Sequence, residues 1–213
     1  FGPGFANQAA NTRVAISSQP APRYVTVFMG HNDAGSSIVS KSVASCSGAP
    51  GDFDPNDYCL TSAAAFEREF RKGLDELIQI PGSRILILTP FRLPQLCGFG
   101  SMPKGAETCA SYWPTASLFR SLLFDCSTER QIDMLASLRS YNAILEQVTA
   151  EYDAIPVGGT SSNGAVKAND VVLRFSRAPF YMRLQSGDIS TCDCLHPTDQ
   201  LQARLADAAW DGL

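Results

Sequence analysis

The chain has 213 residues, of which 45% are hydrophobic and 18% charged, and its 17 basic and 21 acidic side chains give a formal net charge of −4. The length suits one α/β domain with a sizeable core, and the composition excludes wholesale disorder. No run of lysine and arginine exceeds two residues, which argues against nucleic acid as a partner. No apolar stretch approaches the ~20 residues that span a bilayer. Because the sequence begins with neither a methionine nor a signal peptide, we expect it to start partway through its domain.

Cysteine usage favours an exported protein. The seven cysteines are Cys46, Cys59, Cys97, Cys109, Cys126, Cys192 and Cys194. They form no Cys-x-x-Cys pair, and most lie in segments rich in Gly, Pro, Ser and Asp, so disulfide bonds are the favoured interpretation. Six cysteines allow fifteen pairings. We predict a Cys46–Cys59 bridge, because both residues flank a turn-rich segment, and expect the seventh cysteine either to be free or to pair outside this chain.

Hydrophobic patterns predict alternating strands and helices. In chain order they indicate a helix over 6–16, a strand over 23–29, a helix from Thr61, a strand over 84–89, a helix lined by Ile132, Leu135, Leu138, Ile144, Leu145 and Val148, a short strand over 153–157, an extended run over 171–175, and a helix from Thr198. The helix from Thr61 places Phe66, Phe70, Leu74, Leu77 and Ile78 on one face. Glu67 and Arg71 form a supporting pair at i,i+4 spacing, and Pro81-Gly82 ends this helix.

This alternation predicts a parallel sheet covered by helices on both faces. Long segments over 34–60 and 90–127 interrupt the pattern, which is typical of functional or disulfide-stapled insertions. In open parallel sheets the site lies at the carboxyl ends of the strands. The places to look are therefore the residues just after Met29, just after Thr89 and just before Thr198.

Two short motifs occupy these places. Gly30-His31-Asn32-Asp33 follows the first strand, where Gly30 permits a sharp turn and Asn32 offers a neutral NH₂ donor suited to a developing oxyanion. Taken alone, this motif is more often a simple turn. Asp193-Cys194-Leu195-His196-Pro197 precedes the last helix, and a carboxylate three residues before a histidine can fold back onto Nδ1 and leave Nε2 as a general base. An exposed loop histidine is the plain alternative, but it does not explain why both motifs occur together.

The two motifs resemble the third and fifth signature blocks of SGNH hydrolases, the GDSL-type esterases and lipases. The spacing between them, the Val-Thr-Val-Phe-Met strand before the first and the Ala-rich helix with Trp210 after the second are similar to secreted bacterial members. This resemblance covers essentially the whole chain. It implies one SGNH-like domain over 1–213, incomplete at its N-terminus, with a three-layer α/β/α flavodoxin-like parallel sheet that lacks its first strand or strands.

The resemblance also implies a reaction. Asp193 would orient the imidazole of His196, the general base, and Asn32 would be an oxyanion-hole donor, while His31 falls on a variable position of its block. The expected activity is hydrolysis of a carboxylic ester through a serine acyl-enzyme, with no metal and no cofactor. Phospholipids, triglycerides, short-chain acyl esters and acetylated sugars all suit this family as substrates, and the expected location is extracellular.

One departure from the family concerns the nucleophile. The family takes its serine from a Gly-Asp-Ser block that precedes the Gly-x-Asn-Asp block, and no Gly-Asp-Ser occurs in this sequence. Gly187-Asp188-Ile189-Ser190 is the nearest string and lies in the wrong place, and Ser36 and Ser37 read as loop serines. We therefore expect the serine to belong to a segment outside this chain, present as a separate N-terminal fragment.

Two other interpretations stay open at this point. The chain could be a non-catalytic ligand- or carbohydrate-binding relative on the same fold, which would keep Asn32 and His196 without a nucleophile. Alternatively, the alternating Cys192, Cys194 and His196 could hold zinc, because an extended backbone would place all three on one side. A zinc site would need a fourth ligand, for which the sequence offers no obvious candidate.

Overall fold

The computed structural model describes residues 4–35, 61–113 and 126–210, and within these ranges the chain is a mixed α/β protein. Its strands form a three-stranded parallel sheet and a separate two-stranded antiparallel ribbon. The chain divides into two compact units. The first combines Phe1–Met29, Ala63–Thr89 and Tyr141–Arg177, and the second combines Gly30–Ser62, Pro90–Ser140 and Ala178–Leu213.

The elements follow one another in this order: α1 (Phe5–Ile16), β1 (Arg23–Phe28), α2 (His31–Gly35), α3 (Ala63–Leu77), β2 (Ser83–Leu88), a 3₁₀ helix (Leu93–Phe99), β3 (Pro103–Lys104), β4 (Glu107–Thr108), α4 (Cys109–Tyr112), α5 (Thr128–Asp153), β5 (Val172–Ser176), α6 (Ala178–Tyr181), a 3₁₀ helix (Ser186–Asp188) and α7 (Asp199–Trp210). The predicted helices near both ends and after Thr61 are thereby confirmed, as are the strands over 23–29 and 84–89 and the extended run over 171–175.

The parallel sheet of the first unit has the strand order β1-β2-β5. Arg23 pairs with Ser83 at one end of β1 and Phe28 with Leu88 at the other. β2 is buried along almost its whole length, as expected for a strand with a neighbour on each side. β1 instead alternates, with Val25 and Val27 buried and Tyr24 64% exposed. The parallel arrangement agrees with the prediction, but one face of β1 is open to solvent in the described part of the chain, whereas both faces were expected to be covered.

Helix α3 packs as its pattern predicts. The residues of the predicted apolar face are all buried: Phe66, Phe70, Leu74, Leu77 and Ile78. The Glu67–Arg71 pair is present, with 2.8 Å between Oε1 and Nη2. Helix α1 lies against α3, where the Phe5 and Phe70 rings stack with centroids 5.8 Å apart. Gly73 makes this approach possible, because a Cβ at that position would lie 2.1 Å from the Phe5 ring.

Helix α5 corrects two expectations. Its buried stripe consists of Met134, Leu138, Tyr141, Leu145, Val148 and Tyr152. Ile132, which was expected to line this face, is 61% exposed, so that assignment is wrong. The strand predicted over 153–157 is also wrong. The helix continues to Asp153, whose Oδ1 accepts a hydrogen bond of 3.0 Å from the Leu173 backbone N–H, and the chain then turns through Gly158.

Within the described ranges two disulfides cross-link the second unit, Cys97–Cys126 and Cys109–Cys194. They confirm that this chain carries disulfide bonds. Cys192 is free and exposed, whereas Cys46 and Cys59, the pair predicted from the sequence, lie outside the described residues. Among the helices that the structure describes, none is both long enough and apolar enough to cross a membrane.

Candidate active site

Asp193 and His196 lie in the loop that joins the second 3₁₀ helix to α7. Oδ2 of Asp193 is 2.5 Å from Nδ1 of His196. The other carboxylate oxygen, Oδ1, accepts hydrogen bonds from the backbone N–H groups of Leu195 and His196, both at 3.0 Å. The carboxylate is thus held by its own loop and in turn holds the imidazole, so that Nε2 is the ring nitrogen left for a substrate or a nucleophile.

The electrostatics of this pair favour a charged carboxylate. Burial alone raises the pKa of Asp193, but the hydrogen bonds from the backbone and the imidazole of His196 and from Leu195 outweigh it, and the net pKa is lowered. The side chain of Asp193 is 28% exposed and that of His196 is 64% exposed. The pair is therefore both organised and accessible. Its catalytic role remains a prediction.

The base of the loop is closed by backbone and side-chain contacts. The N–H of Ser190 donates to the carbonyl of His196 at 2.9 Å, and the N–H of Thr198 donates to the carbonyl of Asp188 at 2.9 Å. Asp188 is completely buried and its Oδ2 accepts a hydrogen bond from Arg204 of α7. Asp188 and Ser190 belong to the string nearest to a Gly-Asp-Ser block, and Ser190 Oγ accepts the Cys192 N–H at 3.1 Å. These contacts give both residues a part in shaping the loop.

The loop cannot bind zinc in the way that the cysteine spacing allowed. The sulfur of Cys194 is bonded to Cys109 and is no longer a thiolate. Within the described ranges, no group of three or more His, Cys, Asp and Glu side chains is arranged to hold a metal ion.

The Gly-x-Asn-Asp motif forms a turn and a short helix. Gly30 has a φ of 102°, which a side chain would disfavour, and α2 begins at the next residue. Asn32 is the second residue of α2, and its side chain lies outside the described part of the structure, so its role as an oxyanion donor stays a prediction. Burial raises the pKa of Asp33, against the opposing effects of hydrogen bonds from Thr61 and from its own backbone.

His31 has a role that the sequence did not reveal. Its Nε2 accepts a hydrogen bond of 3.1 Å from the backbone N–H of Phe91, and the two rings lie 4.3 Å apart between centroids. Although the residue as a whole keeps some solvent exposure, these contacts shield the ring, and burial lowers the pKa of His31 to about 3. The imidazole is therefore neutral, with its proton on Nδ1. The only local signal was a histidine directly after a buried strand, which does not point to a partner 60 residues away.

Comparison of the chain with protein-family models, with curated proteins and with solved structures returns no match. The geometry of the described residues is therefore the basis for any functional assignment.

Proposed function

We propose that this chain is part of a carboxylic ester hydrolase of the SGNH type, acting through a serine acyl-enzyme. The observation that carries the proposal is the pair in which Asp193 Oδ2 and His196 Nδ1 are 2.5 Å apart, at the loop position that the motif indicated. The carboxylate with a lowered pKa is suited to stabilise an imidazolium, and the exposed ring is accessible to a substrate. The serine nucleophile is implied by the resemblance to SGNH hydrolases alone.

The proposed reaction has two stages. Serine Oγ, supplied by a segment outside this chain, bonds to the ester carbonyl carbon while Nε2 of His196 takes the serine proton. The bond between that carbon and the alkoxy oxygen then breaks, and the alcohol leaves with the proton from His196. Water hydrolyses the acyl-enzyme by the same sequence, giving the carboxylic acid and restoring the serine. Asn32, together with upstream backbone N–H groups, would stabilise the oxyanion at each stage.

The same proposal includes the architecture of the domain and the location of the protein. We take the parallel sheet to be the core of a three-layer α/β/α flavodoxin-like domain whose first strand comes from a separate N-terminal fragment. The two disulfides support an oxidising environment, and we propose that the protein is extracellular. Its partners would then be that fragment and an ester or lipid substrate.

The decisive experiment is labelling of the native preparation with a fluorophosphonate, followed by intact mass with and without reduction of the disulfides. We expect an adduct on a second, shorter polypeptide, because a serine activated by His196 attacks phosphorus as it attacks a carbonyl. Absence of any adduct, with ligand binding retained, would overturn the proposal in favour of a non-catalytic binding relative. An adduct on a serine of this chain would refute the proposed location of the nucleophile.

Substitutions in the complete protein test the individual roles. His196→Ala should abolish labelling and turnover. Asn32→Ala should lower kcat by about 10²–10³-fold, the effect of removing one side-chain oxyanion donor. Asp199→Asn is a matched control, since this exposed carboxylate lies three residues beyond His196 and should leave the rate unchanged. Parental turnover in either of the first two variants would contradict the corresponding role.

A further inference from the structure

The loop that carries Asp193 and His196, here called the dyad loop, has a buried anchor in Cys194, the residue directly after Asp193. Cys194 is 1% exposed, whereas the side chains of Asp193 and His196 are 28% and 64% exposed. It packs in a cluster with Cys109 and Trp113, which are 0% and 4% exposed. The position of the accessible pair is therefore tied to a side chain that solvent does not reach.

Two neighbouring residues hold Cys194 by different bonds. Cys109, the first residue of α4, forms the disulfide to its sulfur. Trp113, which directly follows α4, donates its indole N–H to the carbonyl of Cys194 at 3.2 Å. Both the side chain and the backbone of Cys194 are thus fastened to one turn of helix. We call Cys109, Trp113 and Cys194 the loop clamp.

The clamp holds Cys194 in a backbone conformation that is unfavourable for a residue with a side chain. Cys194 has a φ of 61°, in the left-handed region that residues with a side chain rarely adopt. This conformation reverses the chain between Asp193 and His196, so that both backbone N–H groups after Cys194 reach Asp193 Oδ1. The Cys194 N–H itself donates to the Ser190 carbonyl at 2.8 Å. Without the clamp, Cys194 would relax toward ordinary φ values and the carboxylate would lose its fixed direction toward Nδ1.

We propose that Cys109 and Trp113 are positioning residues for the Asp193–His196 pair: by fixing Cys194 they fix the tautomer and orientation of the His196 imidazole. The effect of the clamp on the His196 imidazole depends on the folded chain alone. Its effect on the rate of catalysis rests on the proposed hydrolase function. Cleavage of the Cys109–Cys194 bond by a small dithiol, which becomes a cyclic disulfide as it passes two electrons and two protons to the two sulfurs, should release the same restraint.

The test is a ¹⁵N spectrum of the imidazole rings, recorded about two pH units above the ordinary pKa of histidine. The chain has only two histidines, so two ring systems are observed. In the parent protein both should show Nδ1–H, since Asp193 accepts from His196 and Nε2 of His31 accepts from Phe91. In Cys109→Ala/Cys194→Ala, the signal of His196 should shift toward the Nε2–H tautomer that unrestrained imidazoles prefer in water. The signal of His31 should stay unchanged and report that the second unit is still folded.

Cys97→Ala/Cys126→Ala is the matched control. It removes the second disulfide that the structure describes in this unit, and Cys126 also packs against the clamp, yet neither bond to Cys194 is broken. Both histidine signals should therefore remain as in the parent. Trp113→Phe keeps the bulk of the ring but loses the N–H, and it should give a smaller shift of the His196 signal.

The tautomer and turnover measurements distinguish failure of the clamp from failure of the hydrolase. If His196 keeps the Nδ1–H tautomer both in the double cysteine variant and in Trp113→Phe, the clamp does not position the pair and the inference is wrong. Should the double cysteine variant fail to fold, Trp113→Phe alone decides between these outcomes. In an active preparation, loss of the disulfide should lower kcat by about 10–100-fold with little change in KM, as expected for misplacement of a catalytic group. Absence of turnover in the parent as well as in every variant, together with the expected tautomer shift, would refute the hydrolase and leave the positioning role of the clamp intact.

Discussion

The backbone N–H of Phe91 donates a hydrogen bond of 3.1 Å to Nε2 of His31. This bond joins the turn that follows β1 to the segment that follows β2, although the two residues are 60 positions apart in sequence. It requires a neutral imidazole, because a protonated ring would have a hydrogen on Nε2. Protonation of Nε2 in acid would therefore break the hydrogen bond between His31 and Phe91.

The first prediction concerns stability in acid. Burial lowers the pKa of His31 to about 3 from its ordinary value of 6.5, so between these values the unfolded chain binds a proton that the folded chain does not. The free energy of unfolding should therefore fall as the pH drops from 6.5 toward 3, with a contribution of about 1.4 kcal/mol per pH unit from this residue. In His31→Gln, whose Oε1 can still accept from Phe91, urea unfolding should show a shallower pH dependence. Equal slopes in the parent and in His31→Gln would contradict the prediction.

The second prediction concerns Asp75 of α3, whose carboxylate accepts three hydrogen bonds within the first unit. Its Oδ1 accepts from Tyr152 Oη at 2.8 Å and from Ser161 Oγ at 2.7 Å, and its Oδ2 accepts from Asn163 Nδ2 at 2.7 Å. Burial, reinforced by the bond to this carboxylate, raises the pKa of Tyr152. Asp75→Asn would remove the charge and set an NH₂ group against existing donors, which should cost about 1.5–3 kcal/mol.

Denaturant unfolding measures this loss as a lower midpoint at unchanged slope. The control is Asp133→Asn, at an exposed carboxylate of α5, for which no significant change is expected. A midpoint of Asp75→Asn within error of the parent would show that the three hydrogen bonds contribute little net stability.

The third prediction concerns the close approach of α1 and α3. Gly73→Ala would place a Cβ 2.1 Å from Cδ1 of Phe5, so either the Phe5 ring or one of the helices must shift. We expect a net loss of about 1–2 kcal/mol, since overpacking outweighs the higher helix propensity of alanine. In a Phe5→Ala background the obstruction is gone, and Gly73→Ala should stabilise the protein instead. The sign reversal, measured by thermal or urea unfolding, is the critical result; destabilisation in both backgrounds would rule out the ring as its cause.

Much of the first unit could be predicted because its signals are local. The strand β1 and the strand β2 each stand out as a short apolar run, and the face of α3 repeats at helical spacing. The same reasoning misplaced the face of α5, where Ile132 is exposed and Met134 is buried. Both residues are apolar, and the choice between them depends on which neighbouring elements the helix meets, which a single sequence does not contain.

In the candidate site, too, the local contact could be predicted from the sequence and the long-range contact could not. The bond between Asp193 and His196 spans three residues and could be predicted from spacing alone. The Cys109–Cys194 bridge spans 85 positions and was one of many pairings that seven cysteines allow. Pairings at this distance are fixed by the tertiary fold. The sequence therefore indicated which residues form the dyad, and the folded chain was needed to find what holds it.

The interleaving of the two units has a consequence for how the chain is made. The last stretch of the first unit ends at Arg177, and the stretch Ala178–Leu213, which carries the Asp193–His196 pair, is translated after it. The three described strands of the sheet are therefore synthesised before the dyad loop, and a domain can begin to fold as its chain emerges. A fragment that spans all three stretches of the second unit must also carry Ala63–Thr89 and Tyr141–Arg177. Truncation cannot isolate the dyad's unit as a minimal protein, and a chain stalled between Arg177 and Cys194 already contains every described strand of the sheet while Cys109 still lacks its disulfide partner.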